Sequence, residues 1–231
     1  MTSKGGSMSF ENRVDAGRKL AKALSDYKRQ QPVILALPRG GVLVAAEIAA
    51  AFNAPLDLVL VRKIGVPFQP ELAMGAVVDG GTPIIVRNDD VIETAQIDEA
   101  TFEAVCQKEL AEIERRRQRY LGDRERAEIS AHIAIVVDDG IATGATTRAA
   151  LRATRLRNPS KLVLAVPVAP TQSLADLRKE VDDIVCLEDH RIFGAIGAYY
   201  ADFTQVSDET VVEVLKRFSV KQANPAKLPA G

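Results

Sequence analysis

The chain has 231 residues, 47% of them hydrophobic, and 30 basic against 31 acidic side chains give a net charge of −1. That length supports one substantial core rather than two large domains with linkers. The near-neutral charge leaves no global field to recruit nucleic acid or an anionic membrane, so any anion affinity must be local.

Residues 1–9, with Met8 a natural start, have a flexible composition and lack the apolar core of a leader, and no later run approaches the length of a membrane span. A cytoplasmic protein is expected, and Cys106 and Cys186, without paired spacing, read as buried thiols of a reducing compartment. Phe10 to Arg29 has helical spacing, with Val14, Leu20, Ala21 and Leu24 on one face, as in a helix docked ahead of the core. Pro32 to Leu37 reads as a buried strand, Val42 to Phe52 as a helix and Leu56 to Val61 as a second strand, which together imply a parallel βαβ unit.

Between the first strand and its helix lies Leu37-Pro-Arg-Gly-Gly41. Backbone N–H groups at Gly40 and Gly41 and the Arg39 guanidinium suit an anion, although the same residues also make an ordinary strand-to-helix turn with a surface arginine. Arg62 and Lys63 follow the second strand at the mouth of a stretch, 62–73, that Gly65, Pro67 and Pro70 mark as loop. Met74 to Val78 and Pro83 to Val86 then pair as a hairpin through Asp79-Gly-Gly81. Asp98 to Tyr120 is a long helix whose basic run, Arg115 to Arg119, is balanced by Glu109 and Glu112 at helical spacing. It reads as a solvated face rather than an RNA-binding one.

The most informative segment runs from Ile133 to Thr147. A β-branched strand, 133–137, breaks into Asp138 and Asp139 and then into a small-residue loop that opens a helix, 145–157. The first turn of a helix has unpaired N–H groups and the positive end of the macrodipole, so a phosphate can sit there. Ala142, Gly144 and Ala145 let the backbone approach it, and Thr143, Thr146 and Thr147 add hydroxyl donors. Two carboxylates beside a phosphate cradle must face something else, and vicinal sugar hydroxyls and a divalent metal are their natural partners. Such residues also merely cap helices in other α/β proteins. The spacing excludes a Walker loop and a dinucleotide fingerprint.

Strand 161–166, helix 171–180 and strand 183–187 complete the alternation, so the expected fold is α/β: an open, mainly parallel twisted sheet with helices on both faces, binding ligands beyond the strands' carboxyl ends. Tyr199, Tyr200 and Phe203 either stack on an acceptor or pack the last helix, which Ser207 begins. His132 and His190 have no metal-spaced partners. One domain over 10–219 with a disordered 220–231 tail is expected.

The Ile133–Thr147 segment resembles the phosphoribosyl pyrophosphate signature of the type I phosphoribosyltransferases, departing from it at Gly140, usually aliphatic, and Ala145, often glycine. Leu37–Gly41, Val61–Pro67, Glu71–Ala76, Ala165–Pro170 and Tyr200–Phe203 extend the resemblance to a bacterial group of unsettled acceptor. The resemblance implies a Mg²⁺-dependent transferase of a phosphoribosyl group to a small nitrogenous acceptor, with a hood built from the N- and C-terminal segments and a homodimer as one possible assembly. It implies that Asp138 and Asp139 hold the ribose hydroxyls and the charge developing on the ring. Ala142, Thr143, Gly144, Ala145, Thr146 and Thr147 would bind the 5′-phosphate, and Arg39, Gly40 and Gly41 the pyrophosphate, with a non-proline cis peptide expected at Arg39–Gly40. Arg62 or Lys63, from a mobile lid, would neutralise the leaving pyrophosphate, and Glu71 is a lesser candidate for metal-bound water or acceptor. Where relatives acting on 6-oxopurines carry an Asp, this chain has Ala142, which argues against that acceptor. Two other readings are a non-catalytic sensor of phosphoribosyl pyrophosphate or a nucleotide, against which the retained Arg39, Arg62 and Lys63 speak, and a hydrolase of an activated sugar phosphate.

Overall fold

The computed structural model describes residues 9–79 and 83–218. The expected flexible start through residue 8, the Gly80-Gly81 turn and the tail beyond 218 lie outside them.

Strands β1 (Val33–Ala36), β2 (Leu56–Leu58), β6 (Ile133–Val137), β7 (Lys161–Pro170) and β8 (Asp183–His190) form a parallel five-stranded sheet in the order β2-β1-β6-β7-β8. The central β1 and β6 are buried along their whole length, as expected of strands covered on both faces. Two apolar layers cover the sheet. One side packs on α1 (Arg13–Ala23) and α2 (Gly40–Phe52), the other on α5 (Ala145–Arg155) and α6 (Thr171–Leu177). The strand order reverses between β1 and β6. An open α/β sheet leaves a crevice at that point, and the loops after these two strands, carrying Arg39–Gly41 and Asp138–Thr147, both open there.

The stretch expected to be a loop, 62–73, is instead a hairpin. Strands β3 (Val61–Val66), β4 (Gln69–Val78) and β5 (Ile84–Arg87) form an antiparallel sheet in that order, so the expected β4–β5 pairing is extended by a third strand. The prolines that suggested a loop are accommodated because Pro67 lies in the β3–β4 turn and the register slips near Gly65. The second parallel strand is correspondingly shorter than expected, ending at Leu58. The inner face of the small sheet, with Ile64, Val66, Met74 and Val77, packs on Phe102, Cys106 and Ile113 of α4 (Glu99–Tyr120), so Cys106 is buried as expected while Cys186 is half-buried. A short helix, α3 (Asp89–Thr94), leads into α4.

The expected N-terminal helix is two pieces, α1 and a 3₁₀ turn at Ser25–Gln30. Its buried face is Arg13, Ala16, Gly17 and Leu20, while Val14, expected in the core, is only half-buried. Close approach sets this rotation: a Cβ on Gly17 would stand 2.7 Å from the Val44 carbonyl of α2. Beyond the strand ends the two terminal segments meet. Phe10 N–H donates to the Tyr199 carbonyl and Ala201 N–H to the Phe10 carbonyl, and Phe10, Ala16, Val168 and Tyr200 form a separate small core. The last helix, α7 (Asp208–Lys216), is capped by Ser207, whose side chain accepts from Thr210 N–H.

Candidate functional site

The loop after β1 is short because Leu37 N–H still donates to the Val137 carbonyl of β6, and Arg39 is already helical as the N-cap of α2. The chain must therefore reverse before Arg39. The non-proline cis peptide lies accordingly at Pro38–Arg39, one bond earlier than the Arg39–Gly40 position expected from sequence. Gly40 brings this loop against the acidic pair: a Cβ built on it would lie 1.8 Å from Asp139 Oδ2, so no other residue fits there unchanged. Gly41 abuts the Val137 carbonyl. The two glycines and Asp139 thus share one side of the crevice.

Asp138 and Asp139 follow β6 directly. The Asp138 Oδ1 accepts the Asp139 N–H at 2.9 Å, and burial, reinforced by the neighbouring Asp139 charge, raises the Asp138 carboxyl well above the usual carboxylate range. Asp139 has a cationic partner, Arg13, which sequence reasoning missed. The Arg13 Nε donates to Asp139 Oδ2 at 2.6 Å, with side-chain exposures of 9% and 13%. The spacing of Arg13 with Ala16, Gly17 and Leu20 was the available signal, since 13, 16, 17 and 20 share one helical face. Tyr200 was weighed as a packing residue, and it is buried, but its hydroxyl also donates to the Asp139 carbonyl at 2.6 Å. That burial, with the Asp139 charge nearby, raises the phenol far above its ordinary value.

Past the acids, Ile141 N–H bonds to the Val168 carbonyl and Ser173 Oγ to the Ala142 carbonyl, tying the loop to the end of β7 and the start of α6. Gly144, the N-cap of α5, has φ 77°, a left-handed conformation that glycine takes without steric cost, and contributes no side-chain cap. The N–H groups of the first turn, at Ala145, Thr146 and Thr147, are therefore directed at the loop's mouth without a side-chain acceptor on the N-cap. Thr143 and Thr146 are exposed beside them, whereas Thr147 is buried. Gly140, the departure from the usual aliphatic residue, also has a local reason: a Cβ there would stand 2.6 Å from Cγ2 of Ile196, a residue of the C-terminal segment that covers the loop.

The remaining expected site residues are arranged differently. Arg39 lies 3.6 Å from Asp208 at the start of α7, which also accepts from the Tyr120 hydroxyl at 2.5 Å and pairs with Arg119 at 3.1 Å. The Tyr120 hydrogen bond holds the Asp208 carboxyl below its usual range, and burial, with that same bond, pushes the phenol up to about 12. Arg62 and Lys63 fall on opposite faces of β3. Arg62 sits across from Val77, on the face packed against α4, and its Nε bonds to the buried Glu109 at 2.7 Å. Glu109 therefore serves β3, not the basic run of its own helix, of which Arg115, Arg116 and Arg117 pair with Glu112 and Glu114 and Arg119 with Asp208 and Glu209. Lys63 sits across from Ala76, on the face that packs against α5, and its Nζ reaches Glu71 of the facing strand at 3.1 Å. His132 bonds a backbone carbonyl, and His190 lies beside Glu188 and the Tyr199 ring.

The arrangement brings a glycine loop, two carboxylates and an open helix N-terminus to one crevice, as suits a ligand with two phosphate groups separated by a polyol. Comparison with known proteins identifies the family. The phosphoribosyl transferase domain profile matches residues 9–114 and 97–204. Over 208 residues the chain is 46% identical to a Mycobacterium tuberculosis protein, known from two strains and provisionally named a phosphoribosyl transferase, covering 90% of this chain and 46% of the relative. The chain thus spans about half the length of the curated relatives it matches. The crystal structure of TT1426 from Thermus thermophilus superimposes with a TM-score of 0.81 at 38% identity, covering 92% of this chain and 100% of that one. The chain belongs to the phosphoribosyltransferase family.

Proposed function

We propose that this protein transfers the phosphoribosyl group of phosphoribosyl pyrophosphate to a small nitrogenous acceptor and releases pyrophosphate. The observation that carries the reading is the contact of Gly40 with Asp139, which puts the Arg39–Gly41 loop and the carboxylate pair side by side at the sheet's switch point. In this reading the first turn of α5, with Ala142 to Thr147, holds the 5′-phosphate. Asp138 and Asp139 hold the ribose hydroxyls and face the positive charge that develops on the ring as the bond to pyrophosphate breaks. Arg39 and the N–H groups of Gly40 and Gly41 receive the pyrophosphate.

Lys63 is the better placed of the two lid cations for the leaving group, because its face of β3 turns toward α5, while Arg62 is committed to Glu109 on α4. The donor set fits a magnesium ion carried by the substrate: two carboxylates stand beside an oxyanion loop, and Mg²⁺ keeps several water or phosphate ligands rather than a full protein shell. Bound with the donor, it supplies neutralising charge at the pyrophosphate oxygens. Closure of the β3–β4 hairpin over the crevice would exclude water from the activated sugar. Sequestration of this kind favours transfer over hydrolysis.

The deciding experiment is calorimetric titration of phosphoribosyl pyrophosphate with Mg²⁺ into the intact protein and into the Asp138→Asn/Asp139→Asn variant. Saturable binding that the double substitution weakens, with the fold retained, is the expected result. Absence of binding to the intact, folded protein would remove the donor assignment. Pyrophosphate release across a panel of amine and base acceptors then separates a transferase from a protein that only senses the donor.

A further inference from the structure

One side chain ties the N-terminal helix to the acidic pair. Arg13 is 7% exposed at the first position of α1. Its Nε bonds Asp139 Oδ2, its Nη1 donates to the Thr204 carbonyl at 2.9 Å, and its guanidinium lies over the Phe203 ring at 3.8 Å. A guanidinium held this way on three sides has a single orientation before any ligand arrives. Asp139 is consequently fixed twice, at its side chain by Arg13 and at its carbonyl by the Tyr200 hydroxyl. Among the described residues no N–H or hydroxyl donor bonds its other carboxylate oxygen, Oδ1, and the neighbour within reach of the Asp139 carboxylate besides Arg13 is the Asp138 carboxyl. Gly40, against Oδ2, supplies no side chain that could intervene.

We propose that Arg13 is a positioning residue of the donor site, holding Asp139 by Oδ2 so that Oδ1 is presented to a hydroxyl of the sugar and the site selects a ribose over a deoxyribose phosphate. The inference rests on the donor reading above and adds a group from outside the loops that carry it. A carboxylate free to turn about its Cβ–Cγ bond would lose that freedom only on binding the sugar. Pinned in advance, it offers its hydrogen bond at lower entropic cost. Because Arg13 is itself anchored on Phe203 and Thr204, the covering C-terminal segment and the ribose-binding carboxylate are set as one unit.

The test is calorimetric titration of ribose 5-phosphate and of 2-deoxyribose 5-phosphate into the intact protein, Arg13→Met and Arg13→Lys. In the intact protein ribose 5-phosphate should bind about tenfold more tightly, the worth of one hydrogen bond to a charged group. In Arg13→Met, with folding verified by circular dichroism, the preference should fall to about twofold or less while the deoxy sugar binds as before, since of the contacts to the sugar only the orientation of one hydrogen bond is lost. Arg13→Lys keeps the charge but lacks the planar fork and should retain an intermediate preference. A full ribose preference in Arg13→Met, or equal loss of affinity for both sugars, would overturn the proposal. Should Arg13→Met fail to fold, an undiminished preference in Arg13→Lys overturns it equally. Failure of the intact protein to bind either sugar phosphate while it binds phosphoribosyl pyrophosphate would overturn this inference alone, and failure to bind phosphoribosyl pyrophosphate as well would refute the donor reading and this inference with it.

Discussion

Replacing Gly40 with alanine tests whether the glycine loop and the acidic pair are one packed unit. The new methyl would stand 1.8 Å from Asp139 Oδ2, 2.4 Å from its Cγ and 3.0 Å from Arg13 Nε. A carbon and a carboxylate oxygen cannot approach so closely, so one of two things must yield. Asp139 could rotate away and give up Arg13, but breaking a pair this buried costs about 3–5 kcal/mol. The start of α2 could instead move outward, at the cost of about 1–3 kcal/mol usual for an overpacked interior. The loop has little slack, since Leu37 N–H is bonded to the Val137 carbonyl at 2.9 Å and Gly41 abuts that same carbonyl. The cheaper route still wins, and a loss of about 1–3 kcal/mol in a chain of this size lowers Tm by roughly 2–12 °C. Donor affinity should drop by a comparable free energy, because a displacement of about 1 Å at a positioning loop can cost on the order of a hundredfold, about 2.7 kcal/mol. Thermal unfolding and calorimetry with phosphoribosyl pyrophosphate and Mg²⁺ measure the two effects. Gly194→Ala, whose Cβ would meet nothing within 4 Å, is the control and should leave both unchanged. A Gly40→Ala protein with parental Tm and parental donor affinity would refute the packing of this loop on Asp139.

Four other perturbations follow from the structure. Asp138 has its carboxyl raised by burial and by the Asp139 charge, so once ionised it opposes folding. That penalty is complete above its folded pKa and vanishes below the unfolded value. Asp138→Asn should therefore raise Tm near neutral pH, with a gain that fades as the pH falls toward about 4, while donor binding is lost; a gain that grows on acidification would contradict it. Lys63→Ala should weaken donor or pyrophosphate binding with stability kept. Arg62→Ala should do the reverse, leaving the buried Glu109 unpaired at a cost of about 1–3 kcal/mol in urea unfolding, and the opposite pattern would reverse the assignment of the two faces. Burial pushes the Cys186 thiol up to about 11 and raises Cys106 as well, so a water-soluble alkylating reagent at neutral pH should modify the native protein far more slowly than the urea-unfolded chain; rapid stoichiometric labelling would refute this.

The parallel sheet was legible because its strands are buried on both faces and so appear as unbroken apolar runs, 133–137 being the clearest. The β3–β4 hairpin was not, for two physical reasons. Its turn carries Pro67, and the outer half of β4, from Gln69 to Leu72, is exposed and so carries no apolar alternation. Its inner half, Met74 to Val78, is buried and was visible. The sheet that α4 supports is thus half written in pattern and half in pairing. The pleat puts Arg62 and Lys63 on opposite faces once 61–66 is a strand, but register, which joins Lys63 to Ala76 and Arg62 to Val77 and so decides which face each takes, has no expression in a single strand's composition.

The candidate site divides along the same line. The groups that lie within one strand–loop–helix unit, Asp138 to Thr147 and Arg39 to Gly41, could be proposed because hydrogen-bond geometry at a helix start depends on neighbours in sequence. Arg13 reaches Asp139 across 126 residues, and Tyr200 reaches it across 61. Nothing local to either residue names its partner. A helical pattern did place Arg13 on a face otherwise made of small and apolar residues, and a buried guanidinium there requires an acceptor, since an unpaired one would be too costly to retain. The demand for a partner was therefore present in the sequence, while the identity of that partner depended on how α1 rotates on α2, which the 2.7 Å approach at Gly17 decides. The same contact that displaced Val14 from the expected core is what aims Arg13 at the acidic pair, so widening it, as in Gly17→Leu, should disturb Asp139 from a position that touches no ligand.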